Sequence, residues 1–132
     1  MDLATMDLES VKCMVVDAPS YCISEFFCWQ ARSNSKRQPE KLLNFLYQNF
    51  RKEFGVNAED YDRRENIRRG KYPILFTAGS LEGQDEVMKL MQMRNPHPTE
   101  VLILPGCNHG NGMYKQTEMY QDAIRKFSER YM

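Results

Sequence analysis

Three short apolar runs, at residues 11–16, 73–78 and 101–104, are the most regular feature of the chain. Each is rich in aliphatic or β-branched residues and is bounded by residues typical of turns, which predicts a β-strand. None of them alternates apolar with polar positions. This pattern favours a parallel sheet that is covered on both faces over an antiparallel sheet with one solvated face.

Helical spacing fills the segments between and after these runs. In residues 38–54, leucine and phenylalanine recur every four positions and form an apolar stripe on one helical face, which Gly55 ends. Residues 85–94 and 115–131 show the same kind of spacing. Strands alternating with helices predict an α/β fold of three layers, in which flanking helices cover a short parallel sheet of about three strands.

More than fifty residues separate the first strand from the second, far more than one crossover needs. We therefore interpret residues 1–132 as one domain that carries a helical insertion at residues 18–70. The insertion contains an aromatic cluster and a net excess of basic side chains. We expect the aromatic cluster to belong to a core and the basic side chains to be the solvated face of a helix.

The composition excludes several classes of protein. The chain has 132 residues with eighteen basic and eighteen acidic side chains, so no global field attracts nucleic acid. Its N-terminus is acidic and no apolar run approaches the length of a membrane span, which argues against a secretory signal and a membrane partner. We expect a cytoplasmic protein with free thiols and without a cofactor.

A histidine follows the third predicted strand. His109 lies in the glycine-rich segment 106–112, directly after the apolar run. In open parallel sheets the ligand crevice lies at the carboxyl ends of the strands, so a histidine in this turn is placed for proton transfer. The alternative is a turn histidine that simply faces solvent.

A carboxylate follows the second predicted strand. Glu82 comes three residues after Gly79, and if the second and third strands are neighbours it can reach His109 and fix its tautomer. Asp85 is a second candidate for this acid, although a position in the first turn of a helix favours a role in balancing the helix dipole. The sequence predicts Glu82 as the acid and leaves Asp85 open.

These segments resemble a known family. The stretch from Ile74 to Gly79 with Glu82, the stretch from Val101 to Gly106 with His109, and the closing helix are similar to the C-terminal part of the α/β-hydrolases. The closest likeness is to the dienelactone-hydrolase and acylaminoacyl-peptidase-like branch. The resemblance implies a partial α/β-hydrolase fold that starts at the sixth strand, with residues 18–70 as the lid. It also implies that Glu82 and His109 are the acid and the base of a catalytic triad.

The chain departs from that family at the nucleophile. No Gly-x-Ser-x-Gly motif occurs in the 132 residues, and the family carries this motif before its sixth strand. The segment from Gly79 to Gly83 imitates such a motif, but Ser80 stands one place early. We expect the chain to hold two of the three triad residues and to be inactive alone.

Three hypotheses about function remain open at this point. The first is the C-terminal portion of a serine hydrolase of the esterase or peptidase type, acting on a small ester or amide. The second is a non-catalytic interaction module that self-associates through an unpaired edge strand, so that a homo-oligomer is expected. The third is a metal site that combines Cys107 and His109 with Cys22, Cys28 or His97, which lacks a second pair at ligand spacing.

Overall fold

The computed structural model describes residues 2–19 and 22–132, without the side chains of residues 2, 3, 85–87 and 90. Its sheet has three strands, and all of them run parallel in the order in which they occur in the chain. The strands are β1 (Met14–Asp17), β2 (Ile74–Gly79) and β3 (Thr99–Leu104). The predicted parallel sheet and its strand number are confirmed.

Six helices accompany the sheet in the described part of the chain. They are α1 (Ile23–Asn34), α2 (Pro39–Phe54), α3 (Arg64–Arg68), α4 (Asp85–Arg94), α5 (Gly112–Lys115) and α6 (Thr117–Tyr131), with short 3₁₀ turns at Asp2–Thr5 and Ala58–Asp60. Three of them match predicted helices, although the C-terminal helix is broken into α5 and α6. The sequence analysis did not predict α1 or α5, whereas α3 lies in the basic part of the insertion, whose side chains were expected on the solvated face of a helix.

The chain divides into two compact units. The sheet unit comprises Met1–Pro19 and Glu65–Met132, and the helical unit comprises Ser20–Arg64. None of the described helices is both long and apolar enough to cross a membrane.

The core of the sheet unit is centred on β2. All six of its residues are buried, and Phe76 is fully inaccessible to solvent. Leu104 at the end of β3 packs with Cys107 and Tyr120 in a cluster that joins the sheet to α6. The carboxyl end of β3 is therefore anchored by buried apolar packing against α6.

The first strand differs from the prediction. Burial alternates along β1 between half-buried and exposed positions, and Val15 is 37% exposed. The expectation of a strand covered on both faces is wrong here, because the alternation shows that one face of β1 is poorly covered. Among the described residues β1 also pairs with β2 alone and forms an edge of the sheet.

The helical unit is held together by aromatic contacts between α1 and α2. The ring of Phe27 lies edge-on to those of Tyr47 and Phe50, with centroids 5.7 Å apart in each pair. Gly55 ends α2 in the left-handed region at φ 71°, as the sequence predicts. No residue of α2 is fully buried, so its apolar stripe packs only in part.

Candidate active site

Two neighbouring loops leave the sheet at the carboxyl ends of β2 and β3. Because β2 and β3 are parallel neighbours with Gly79 opposite Leu104, the loop after β2 (residues 80–84) and the loop after β3 (residues 105–111) begin at the same level. Backbone hydrogen bonds join them: Ser80 N donates to Leu104 O and Leu81 N donates to Cys107 O, each at 3.0 Å. The two loops are thus one connected structure.

Gly79 marks the closest approach of the loops. A Cβ atom at this position would lie 2.2 Å from the carbonyl oxygen of Cys107 and 2.5 Å from its carbonyl carbon. Both are backbone atoms, which cannot turn away as a flexible side chain would. Only glycine fits this position without a shift of the main chain.

Glu82 is the buried acid of the site. Its side chain is 1% exposed, and Oε1 accepts a hydrogen bond of 2.6 Å from the backbone N–H of Gly79. Its other oxygen, Oε2, lies 2.8 Å from Nδ1 of His109. One carboxylate therefore closes the turn after β2 and contacts the imidazole of the neighbouring loop.

His109 is the accessible partner of this pair, with a side chain that is 42% exposed. An ionised carboxylate only accepts hydrogen bonds, so with Glu82 ionised and the ring neutral this contact requires the ring proton on Nδ1. Nε2 then carries the basic lone pair of the neutral ring. An imidazole oriented in this way is equipped to take a proton from a nucleophile and to return it to a leaving group.

The structure brings together Glu82 and His109, the two site residues that the sequence predicts. Asp85 begins α4, but its side chain lies outside what the structure describes. Ser80 is exposed, and its Oγ accepts a hydrogen bond of 2.9 Å from the backbone N–H of Gly106. The residue that most resembles a nucleophile is thus engaged with the neighbouring loop.

The sequence analysis missed a residue that shapes the histidine loop. Oδ1 of Asn111 accepts a hydrogen bond of 2.8 Å from the backbone N–H of Asn108, which closes the turn around His109. Asn111 directly precedes α5 but makes no side-chain cap bond to that helix, and its contact is with an upstream N–H, so no helix-start signal in the sequence points to it.

A further polar contact joins the last residue of β1 to β2. The hydroxyl of Thr77, which is fully buried, donates to Oδ1 of Asp17 over 2.5 Å. Burial raises the pKa of the nearby Tyr120 phenol, and the charge of Asp17 raises it further, while a hydrogen bond with Thr77 acts in the opposite direction. The Tyr120 phenol therefore remains neutral at ordinary pH.

The residues of the metal hypothesis do not assemble in the described part of the chain, where no group of three or more His, Cys, Asp or Glu side chains is arranged to hold an ion. Cys107 is fully buried, and its Sγ lies 3.5 Å from the carbonyl oxygen of Pro105. His97 is exposed.

Comparison with solved structures identifies the fold. An esterase of Pyrococcus furiosus superposes with a TM-score of 0.64 over 99% of this chain and 49% of its own, at 16% sequence identity. An α/β-hydrolase enzyme from the metagenome of lagoon sediments at Mar Chica, Morocco, superposes with a TM-score of 0.54 over 92% of this chain and 52% of its own, at 17% identity. The chain thus spans about half the length of these structures.

No protein-family model and no curated protein sequence matches the chain. At such low identity the two superpositions speak for the fold alone. The predicted partial α/β-hydrolase fold is confirmed by this likeness together with the parallel sheet and its flanking helices.

Proposed function

We propose that this chain is the C-terminal portion of a serine hydrolase of the esterase or peptidase type, in which His109 is the catalytic base and Glu82 the acid that orients it. The observation that carries the proposal is the 2.8 Å contact between His109 Nδ1 and the buried Glu82 carboxylate, at the carboxyl edge of the sheet. The same edge is where open parallel sheets bind their ligands. The fold, shared with an esterase, is consistent with it.

The nucleophile in this proposal is a serine outside residues 1–132. Its hydroxyl attacks the carbonyl carbon of a small ester or amide while Nε2 of His109 takes the hydroxyl proton. The tetrahedral intermediate collapses, the C–O or C–N bond breaks, and the imidazolium returns the proton to the leaving group. Water then hydrolyses the acyl-enzyme through the same proton transfers.

The exposure of the two groups supports these roles. The buried Glu82 carboxyl lies against the imidazole, where as a carboxylate it stabilises the imidazolium that forms during each transfer. His109, half open to solvent, can meet a substrate and a nucleophile that other residues supply. We further assign the chain to the dienelactone-hydrolase and acylaminoacyl-peptidase-like branch, with residues 18–70 corresponding to the lid, on the order and spacing of its strands and site residues.

The test uses this chain alone and the chain together with the coding sequence upstream of Met1. Alone, it should show no serine labelling by a fluorophosphonate probe and no turnover of a p-nitrophenyl ester. In the longer protein, hydrolysis should appear, and the His109→Ala substitution should lower kcat about 10⁶-fold. His97→Ala is the matched control, since His97 is the other histidine of the sequence and is exposed.

Two outcomes would contradict the proposal. One is stoichiometric labelling of a serine in the 132-residue chain with a burst of product, which would place the nucleophile within it. The other is an equal effect of the two histidine substitutions on hydrolysis by the longer protein.

The edge position of β1, which among the described residues pairs with β2 alone, favours a second candidate, a non-catalytic module that associates with a copy of itself. An edge strand can pair with the same strand of another copy across a two-fold axis, because such an interface is self-complementary. Light scattering at micromolar concentration should then give a dimer or a larger species. A monomer would rule this candidate out and would leave the hydrolase proposal untouched.

A further inference from the structure

The turn that leads from β3 to His109 has the features of a type II turn. It comprises the four residues 104–107, and Cys107 N donates to Leu104 O across it at 3.4 Å. Proline is favoured at the second position of a type II turn, and the third position requires a positive φ. Pro105 and Gly106 occupy these positions, and the φ of Gly106 is 66°.

The peptide between Pro105 and Gly106 is held from both sides. Its N–H donates to Ser80 Oγ over 2.9 Å, and its carbonyl oxygen accepts a hydrogen bond of 3.1 Å from Nε2 of Gln116. Type I and type II turns differ mainly by a rotation of this central peptide through about 180°. Ser80 and Gln116 therefore select one of the two orientations.

The orientation of this peptide sets the path of the chain to the imidazole. The next residue, Cys107, presents its carbonyl oxygen to Leu81 N at 3.0 Å, directly against Gly79. His109 follows two residues later and contacts Glu82, whose carboxylate is itself bound to Gly79. A rotated turn would displace the backbone from which the imidazole reaches the carboxylate.

We infer that Ser80 is a positioning residue for His109: its hydroxyl holds the peptide between Pro105 and Gly106 in the orientation that aims the imidazole at Glu82. Ser80 itself binds no substrate and forms no covalent intermediate. The inference deepens the proposed function and rests on it only for its consequence in catalysis. The effect on the imidazole is independent of any reaction.

The Ser80→Ala substitution tests this role, because it removes the acceptor of the Gly106 N–H and leaves the rest of the loop unchanged. Nitrogen-15 NMR of the ring at a pH where the imidazole is neutral reports which nitrogen carries the proton. In the unsubstituted chain His109 should be the Nδ1–H tautomer with a low-field Nδ1 proton. In the variant that proton signal should be lost and the Nε2–H tautomer should increase.

Three further variants separate positioning from simple folding. Ser80→Thr keeps a hydroxyl and should restore the original signature, whereas Ser33→Ala alters an exposed serine of α1 and should leave it unchanged. Gln116→Ala releases the other side of the same peptide and should shift the tautomer in the same direction. It also provides the test if Ser80→Ala does not fold.

In a protein that joins this chain to its nucleophile and hydrolyses the ester, Ser80→Ala should lower kcat roughly 10- to 100-fold with KM little changed, because a displacement of about 1 Å has an effect of this size. An unaltered imidazole signature in both Ser80→Ala and Gln116→Ala overturns the inference, as does labelling of Ser80 by the fluorophosphonate. If the signature changes while His109→Ala has no effect on hydrolysis, the inference stands and the proposed function fails.

Discussion

The two units of this chain use apolar side chains in different ways. In the sheet unit, β2 is buried along its whole length, and two loops at its carboxyl end are joined by backbone hydrogen bonds. In the helical unit, α2 has no fully buried residue, and Phe45 and Phe54 are 60% and 67% exposed. The paired acid and base belong to the unit with the dense core, since a contact of 2.8 Å requires a fixed backbone on both sides.

The most severe test of this contrast replaces one glycine in each unit. Gly79→Ala should lower the free energy of unfolding by more than about 4 kcal/mol, because the new Cβ meets the backbone of Cys107. Gly55→Ala should cost about 1–2 kcal/mol, since Gly55 has a positive φ but no atom within 4 Å of the added Cβ. Urea unfolding of both variants measures the difference. Equal losses in the free energy of unfolding would show that the backbone of the loops in the sheet unit shifts as easily to fit a new Cβ as the exposed end of a helix does.

A second pair of variants compares two phenylalanines, one in each unit. Phe76→Ala empties a fully buried site in β2 and should cost about 3–5 kcal/mol. Phe54→Ala removes a ring that is 67% exposed and should change the free energy of unfolding by no more than about 0.5 kcal/mol. Thermal unfolding followed by circular dichroism suffices for both. A large loss for Phe54→Ala would mean that the helical unit buries this ring in solution, for instance in a dimer.

The smallest effect concerns charge on α6. Hydrogen bonds from Lys126 and Arg125 lower the pKa of Asp122 below its ordinary value of 3.8. A carboxylate with a lowered pKa stabilises the fold above its unfolded pKa, and this contribution is lost as the pH falls through the folded pKa. Asp122→Asn should therefore lower Tm by roughly 1–2 °C at pH 7.

That deficit should vanish in strong acid, well below pH 3.8, where the original side chain is protonated as well. Asp122→Glu keeps the charge and serves as the control, with a Tm close to that of the unsubstituted chain. A deficit that stays constant from pH 7 into strong acid would mean that the side chain acts through packing, not through its charge.

The sequence predicted strand positions most accurately where the strand is completely buried. The run at residues 73–78 predicts β2 within one residue of the observed Ile74–Gly79, because a strand covered on both faces has an uninterrupted apolar sequence. The run at residues 11–16 predicts a strand as well, but not its exposed side. Exposure there depends on what packs over each face of β1, which the residues of the strand itself do not encode.

The candidate site was predictable for a similar reason. Glu82 and His109 follow adjacent apolar runs at short distances, so the topology alone brings their loops together. The roles of Ser80 and Asn111 were not predictable, because each binds a backbone N–H group in a turn whose conformation the sequence leaves open. The helix α1 was missed because its aromatic residues were interpreted as a cluster and not tested for helical spacing.

The double role of Glu82 has a consequence for evolutionary drift. Its carboxylate satisfies the backbone N–H of Gly79 inside the protein, so selection for folding alone would retain it in a lineage that no longer hydrolyses anything. Two fifths of the His109 side chain lies in solvent, so selection for a packed core acts on it less strongly than on buried Glu82. Among descendants without activity, the histidine should vary first, and its retention in distant relatives would be the better sign that the chemistry persists.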